Sequence, residues 1–497
     1  MNARRPYWPL ILGLAAVKLA VHLYASGFYH YFRDELYYIA CGHHLAWGYV
    51  DHSPLVAIYA RIGEWLSHGL GLRGFRLLAT LAGTGRIVLT GVIAARLGGN
   101  RVAQALACTA VLFAPIYLGL DSFLSMNVFE HLFWLGCILV LIELANGGNE
   151  KLWLVFGVLA GVGLENKHSM VFLGFAVAVG LVLTPLRRSL LRPWIYAGGA
   201  IALLLFLPNL LWQWQHGFPT LELLENVKNS GKNVVVGPLE FLKQQAMMLD
   251  PFAAPLCLAG LVWLFANARY RVLAWIYVVV LATFIALEGK DYYVAPIYPL
   301  LFAAGAVWIS RWRAAAVAAF VIVILGGAIA VPLALPILPP ERYLAYQRSL
   351  GIKPHHSEVS HTSEMPQLFS DQFGWEEMVR QVASIYNALP PDVRAKTAIV
   401  GSNYGQAAAI DWYGPKYGLP PAISVHQSYW YWGYRGYTGE SVILIERHTD
   451  PEDWTTVRIA AQRFHPYAMP DENGPIYYCT GFKYPMAKIW PKIKRWR

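Results

Sequence analysis

Residues 31–54 read YFRDELYYIACGHHLAWGYVDHSP and follow the first long apolar run of the chain. Asp34 and Glu35 stand side by side behind Arg33, and Asp51 and His52 come shortly before Pro54. Ionised carboxylates avoid hydrocarbon. Two acidic clusters just past an apolar run therefore mark a segment outside a membrane that has a reason to be charged. Working outward from this stretch, most of the other polar oddities of the chain fall on the same side.

The composition agrees with a membrane setting. Of 497 residues, 56% are hydrophobic and 14% charged, and the mean hydropathy is +0.39. Soluble proteins carry about a quarter charged residues, so this is a polytopic membrane protein. The formal net charge of +10 sits largely in short loops between apolar runs, where Lys and Arg set orientation. Nucleic acid is not the expected partner. Five scattered cysteines, with no CxxC pair, form neither a metal motif nor a disulfide framework. The N-terminus, MNARRPYWPLILGLAAV, starts basic and turns apolar without a small-residue cleavage site, as a retained first span would.

Apolar runs near bilayer length fall at about 9–28, 78–97, 102–120, 124–145, 152–164, 169–185, 194–213, 253–267, 272–288, 293–310 and 314–333. Eleven spans are expected. Arg4, Arg5, Arg96, Arg101, Lys151, Arg187, Arg188, Arg192, Arg269, Arg271, Arg311 and Arg313 then share one side, which the positive-inside rule makes cytoplasmic. The N-terminus is expected inside. The opposite side receives the 29–77 loop, Asp121, the turn Glu165–His168, the 214–252 loop, the turn at 288–293 and everything after about 335.

Two domains are expected: a transmembrane domain over 1–335 and an extracytoplasmic α/β domain over 336–497. In the loop at 29–77, LYYIACGHHLAWGY and PLVAIYARIGEWLSHGL place apolar residues at helical spacing and predict two amphipathic helices on the membrane surface. In the last third, TAIVGS, SVILIE and PIYYCTGF read as strands, and YGQAAAIDWYGPKYG and PEDWTTVRIAAQRF as helices. The aromatic run QSYWYWGYRGY suits either a packed loop or a surface that meets sugar faces or lipid.

Each polar feature carries two readings. Asp34 and Glu35 suit a general base, because a buried or paired carboxyl accepts a proton readily; they equally suit the first turn of a helix, where the macrodipole favours negative charge. Asp121 reads as an acid at the same depth as Asp34 or as the N-cap of the helix that follows. Glu130 and His131 lie within a span and should face the bundle interior. Lys167, in LENKHSM, and Lys290, in EGKDYYVAPIYP, could snorkel or bind a phosphate head group with Tyr292 and Tyr293 as donors. Asp51, His52 and His216 have ligand chemistry for a divalent cation, without a local spacing motif. Gly83-Thr84-Gly85 reads as close helix packing. No P-loop, GxGxxG or HExxH stands at a usable strand–helix junction, and no nucleotide cofactor is expected.

Taken in order, RDELYY, VDHSPLVAIYARI, the Asp121 turn, LENKHS and GKDYYVAPIYPLL resemble the bacterial relatives of the dolichyl-phosphate-mannose protein mannosyltransferases, a group of C-type membrane glycosyltransferases that includes the lipid A aminoarabinose transferases. NYGQAAAIDWYGPKYGLPPAISVHQSYWYWG resembles their outer C-terminal domain. The resemblance implies a multi-pass inner-membrane enzyme with an outer C-terminal domain, a polyprenyl-phosphate sugar donor, and a lipid A, protein or glycan acceptor met among membrane lipids. By position it implies Asp34 as the leading catalytic carboxylate, with Glu35 beside it and Asp121 as a second acid. It puts Arg33, Lys167, Lys290, Tyr292 and Tyr293 near the lipid phosphate, and Asp51 and His216 near a metal position. Relatives often read DHPP where this chain has Asp51-His52-Ser53-Pro54, and a lysine of the aminoarabinose enzymes is missing here, which argues against aminoarabinose as the sugar. The alternative from another class is a transporter or flippase of lipid-linked sugars, for which Lys18 and His22 in the first span speak.

Overall fold

The computed structural model describes residues 3–354 and 358–496. Its contacts gather into two compact units: Met1–Phe28, Leu66–Leu211 and Val235–Pro339 in one, and Tyr29–Trp65, Trp212–Val234 and Pro340–Arg497 in the other. Residues 29–65 and 212–234 thus cluster with the C-terminal third.

Among the described residues six helices are long and apolar enough to cross a membrane: Trp8–Ala25, Leu77–Arg96, Met126–Ala145, Pro193–Gln215, Asp291–Ile309 and Arg313–Ala334. A seventh follows if the bent pair Met170–Val182 and Pro185–Leu191 is counted as one span. The other four expected spans coincide with shorter apolar helices, Arg101–Phe113, Leu152–Asn166, Ala254–Ala266 and Arg271–Ala286. The eleven expected spans are therefore apolar helices throughout, but not all are of crossing length. Proline explains two shortfalls. Ala114, before Pro115, takes an extended conformation (φ −63°, ψ 122°) and ends the helix Arg101–Phe113; its thirteen residues rise only about 20 Å. Pro185 begins a short 3-10 helix bent 107° from the preceding one.

In the first unit the core runs along Tyr298–Ile309, where every residue from Tyr298 to Val307 is buried. It lies against Ala254–Ala266 with glycine on both sides. A Cβ on Gly260 would strike the Leu301 carbonyl, and one on Gly305 would strike that of Leu256. Bare backbones in contact replace the hydrophobic drive that lipid cannot supply.

In the second unit, the helix Arg33–His43 opens with one half of a capping interaction: the Glu35 carboxylate accepts from the Phe32 N–H at 2.9 Å. Leu36 to Gly42 are all buried, and the helix packs on Tyr404–Tyr413, where the bare face of Gly405 leaves room for the Arg33 stem. The expected surface-lying amphipathic helix is instead a core element, because YYIACG offers it no polar face. The helix Leu55–Phe75 does keep an apolar face outside, with Ile58, Ile62 and Trp65 exposed.

The C-terminal sheet holds four strands, β1 (Thr397–Gly401), β2 (Ser441–Ile445), β3 (Thr456–Arg463) and β4 (Gly474–Thr480), in the order β1-β2-β4-β3. β1 and β2 are parallel and the other pairs antiparallel. The segment expected as a helix from Pro451 is a short 3-10 turn followed by strand β3. Thr455, Thr456, Val457 and Ile459 are β-branched and favour an extended chain, and the edge position lets half of β3 stay exposed. The amphipathic helix Trp375–Asn387 buries Trp375, Met378, Val379, Val382 and Tyr386. The aromatic run is a packed loop. Trp430 and Trp490 each donate an indole N–H to the other's carbonyl, at 2.9 and 3.0 Å, and Tyr429 is buried.

Candidate active site

Each unit contains a cluster of ionisable side chains. In the second, Asp34 stands in the first turn of Arg33–His43, its side chain 31% exposed. The Tyr404 hydroxyl donates to its Oδ1 at 2.7 Å. Arg33 Nε lies 3.7 Å from the same oxygen, and Arg33 Nη2 lies 3.5 Å from Asp371 Oδ2. Asp371 is fully buried, and burial pushes its carboxyl up to about 7; Arg33 opposes the shift and the charge of Asp34 adds to it. Asp34 thus presents an accessible carboxylate whose orientation one hydroxyl donor fixes, a geometry suited to a general base.

Glu35, expected beside Asp34 as a catalytic carboxylate, is buried, and its carboxylate accepts from the Phe32 N–H. Asp51 accepts from the Tyr37 hydroxyl at 2.9 Å, and burial raises its pKa. His52 is buried, with ring contacts to Tyr37, Tyr38 and Tyr49. His216 stacks on Trp212 and hydrogen-bonds the Trp212 carbonyl at 2.8 Å. Among the described residues no group of three or more His, Cys, Asp or Glu is arranged to hold a metal ion.

In the first unit Asp121 is neither a solvent-facing acid nor the N-cap of the next helix, which is Ser125. It is fully buried, paired with Lys18 at 2.6 Å and with Arg86, and Gly83 is bare where its carboxylate sits. Arg86 also contacts His131 and lies over the Tyr117 ring. Lys18 and His22 are 3.2 Å apart, and Lys18 donates to the Tyr117 carbonyl at 3.0 Å. The ionisable residues of the first span thus belong to a buried network centred on Asp121.

A second group gathers three residues expected near a phosphate. Lys167 pairs with Glu130 at 2.8 Å, and its Nζ stands 4.6 Å from the centre of the Tyr293 ring and 5.9 Å from that of Tyr292. The Ser169 hydroxyl donates to the other oxygen of Glu130. Lys290 is the N-cap residue of the short helix Asp291–Ile297.

Residues 51–212 match the family model described as dolichyl-phosphate-mannose-protein mannosyltransferase. The lipid A galacturonosyltransferase RgtD of Rhizobium johnstonii is 27% identical over 270 residues, which are 53% of this chain and 56% of RgtD. The chain therefore spans about half the length of that curated relative. The crystal structure of ArnT from Cupriavidus metallidurans bound to undecaprenyl phosphate shares the fold, with a TM-score of 0.61 over 95% of this chain and 98% of ArnT at 12% identity. Its apo state aligns with the same score over 94% and 97%, at 14% identity. Part of the chain is thus similar to the mannosyltransferase family, and its fold is similar to that of ArnT.

Tyr404 and Asp371 were not singled out from the sequence. Tyr404 lies 370 positions from the carboxylate it touches, and Asp371 sits in QLFSDQFGW, a segment without catalytic spacing. Only the fold joins them to Asp34.

Proposed function

We propose that this protein is an integral inner-membrane glycosyltransferase that moves a sugar from a polyprenyl-phosphate carrier to an acceptor on the outer face. The name of one relative, the lipid A galacturonosyltransferase RgtD, favours a lipid A-type acceptor over a protein or another glycan. The single observation that carries the reading is Asp34: a half-buried carboxylate with its orientation set by Tyr404 and its charge offset by Arg33.

In the proposed reaction Asp34 takes the proton of the acceptor hydroxyl or amine as that atom attacks the anomeric carbon. The carbon–oxygen bond to the carrier phosphate breaks, and its electron pair leaves with the phosphate. The charge that develops there needs cations and hydrogen-bond donors, the part that the family resemblance gives to Lys167, Lys290, Tyr292 and Tyr293. Glu130, itself held by the Ser169 hydroxyl, pairs with Lys167. The transporter alternative loses its support, since Lys18 and His22 are absorbed in the Asp121 network.

The test is turnover of a radiolabelled polyprenyl-phosphate sugar panel by the purified protein, with and without membrane lipid extract. Label should move from one donor to lipid, and Asp34→Asn should be silent while the protein remains folded. A fully active Asp34→Asn removes the proposed base; labelled lipid crossing vesicle leaflets without donor consumption would make the protein a transporter.

A further inference from the structure

The second unit contains a polar cavity of about 500 Å³ that the scheme above does not use. Its volume lies within the range of small-molecule sites. Three ion pairs stand in its wall: Arg447 with Asp471 at 2.7 Å, Arg495 with Glu446 at 3.6 Å and Lys232 with Glu358 at 3.8 Å. Arg33 and Glu472 complete the charged lining, four cations against four carboxylates, so its formal charge is zero. Backbone bonds fix its edge, with the Val359 N–H donating to the Lys232 carbonyl at 3.0 Å. One side presents aromatic surface, where Tyr404 and His426 stack with planes 8° apart and centroids 5.1 Å apart.

This lining selects among ligand classes. An anion gains little from guanidinium groups that already face carboxylates. An apolar chain would desolvate every one of these charges. A polyhydroxylated neutral ligand suits the wall, because each hydroxyl both donates and accepts, and ion pairs side by side offer both functions. A sugar ring also has a less polar face to lay on Tyr404 and His426.

Tyr404 ties the cavity to the chemistry, since it lines the wall and donates its hydroxyl to Asp34. We infer that this cavity is a carbohydrate-binding site that takes the neutral sugar portion of the acceptor. Its acceptor role rests on the glycosyltransferase reading; its affinity for sugar does not.

The experiment uses the full chain in lipid nanodiscs, with N,N′-diacetylchitobiose as neutral probe and glucose 1-phosphate and inorganic phosphate as anionic ones, read by saturation-transfer NMR. The disaccharide should bind, with affinity at least tenfold weaker in Ser360→Trp, which fills the rim, and in Arg447→Ala, which breaks one wall pair. Asp34→Asn should bind it as the wild type does. Undiminished binding in both wall variants, binding of the anions alone, or no binding of the disaccharide would each overturn the inference. Transfer activity retained in Asp34→Asn would count against the base while leaving the binding measurement to judge the cavity.

Discussion

At the scale of single residues, the hydroxyl on Asp34 is the most direct test of the site. Tyr404→Phe removes one hydrogen bond to a charged group, worth about 1.5–3 kcal/mol. The expected loss in kcat is roughly 10- to 150-fold, measured with donor and lipid extract at saturation; an unchanged kcat would detach Tyr404 from the reaction. Asp371 gives a pH signature. Its carboxyl titrates near 7 when folded, against 3.8 for the free group, so between those values the folded chain keeps a proton that the unfolded chain releases. The stability this proton confers is complete below pH 3.8 and is lost as the pH rises to about 7. Asp371→Asn cannot titrate, and its Tm should fall less than that of the wild type from about pH 4 to about 7. The difference approaches ~1.4 kcal/mol per pH unit at most, and parallel curves would mean an Asp371 that is ionised throughout. Lys167 separates structure from function. Lys167→Met leaves the Glu130 carboxylate buried without its cation, a loss of about 3–5 kcal/mol. Adding Glu130→Gln should restore Tm but not transfer; activity returning with stability would make Lys167 structural only.

At the scale of elements, Asp121 should behave as a joint between helices. Asp121→Asn leaves Lys18 and Arg86 buried together without a counter-charge, and thermal shift in detergent should show a loss of about 3–5 kcal/mol. The folded fraction should keep its specific activity, since the carboxylate has no exposure; selective loss of activity at unchanged Tm would restore it as a catalytic acid. The same scale shows what sequence patterns carry and what they do not. Among the described residues, hydropathy located the apolar helices that are candidate spans, because apolar character is written into composition. Helix length escaped it where Pro115 and Pro185 end a regular conformation within an unbroken apolar run. Strand β3 was misread because TVRIAAQR has helix-tolerant residues and its pairing with β4 is non-local. Asp34 was legible as a charge that needed a reason. Tyr404, Asp371 and the cavity wall were not, since each depends on which distant segments meet.

For the whole molecule, the decisive fact is that residues 29–65 and 212–234 share a compact unit with the C-terminal third. A truncation at 339 is therefore not a clean removal of an outer domain. It would uncover Leu36 to Gly42, which are buried in the intact unit, and the shortened protein should elute as aggregate on size-exclusion chromatography. A monodisperse truncated protein would show that these segments stand without the C-terminal third.

The packing of Arg33–His43 on Tyr404–Tyr413 also sets a timetable for biosynthesis. The contacting residues Asp34 and Tyr404 are 370 positions apart. At the usual pace of about 5–20 residues per second, the first helix leaves the ribosome roughly 20 to 75 seconds before its partner. For that interval its tyrosines and isoleucine have no native cover, so the nascent chain depends on the membrane surface or on a chaperone to shield them.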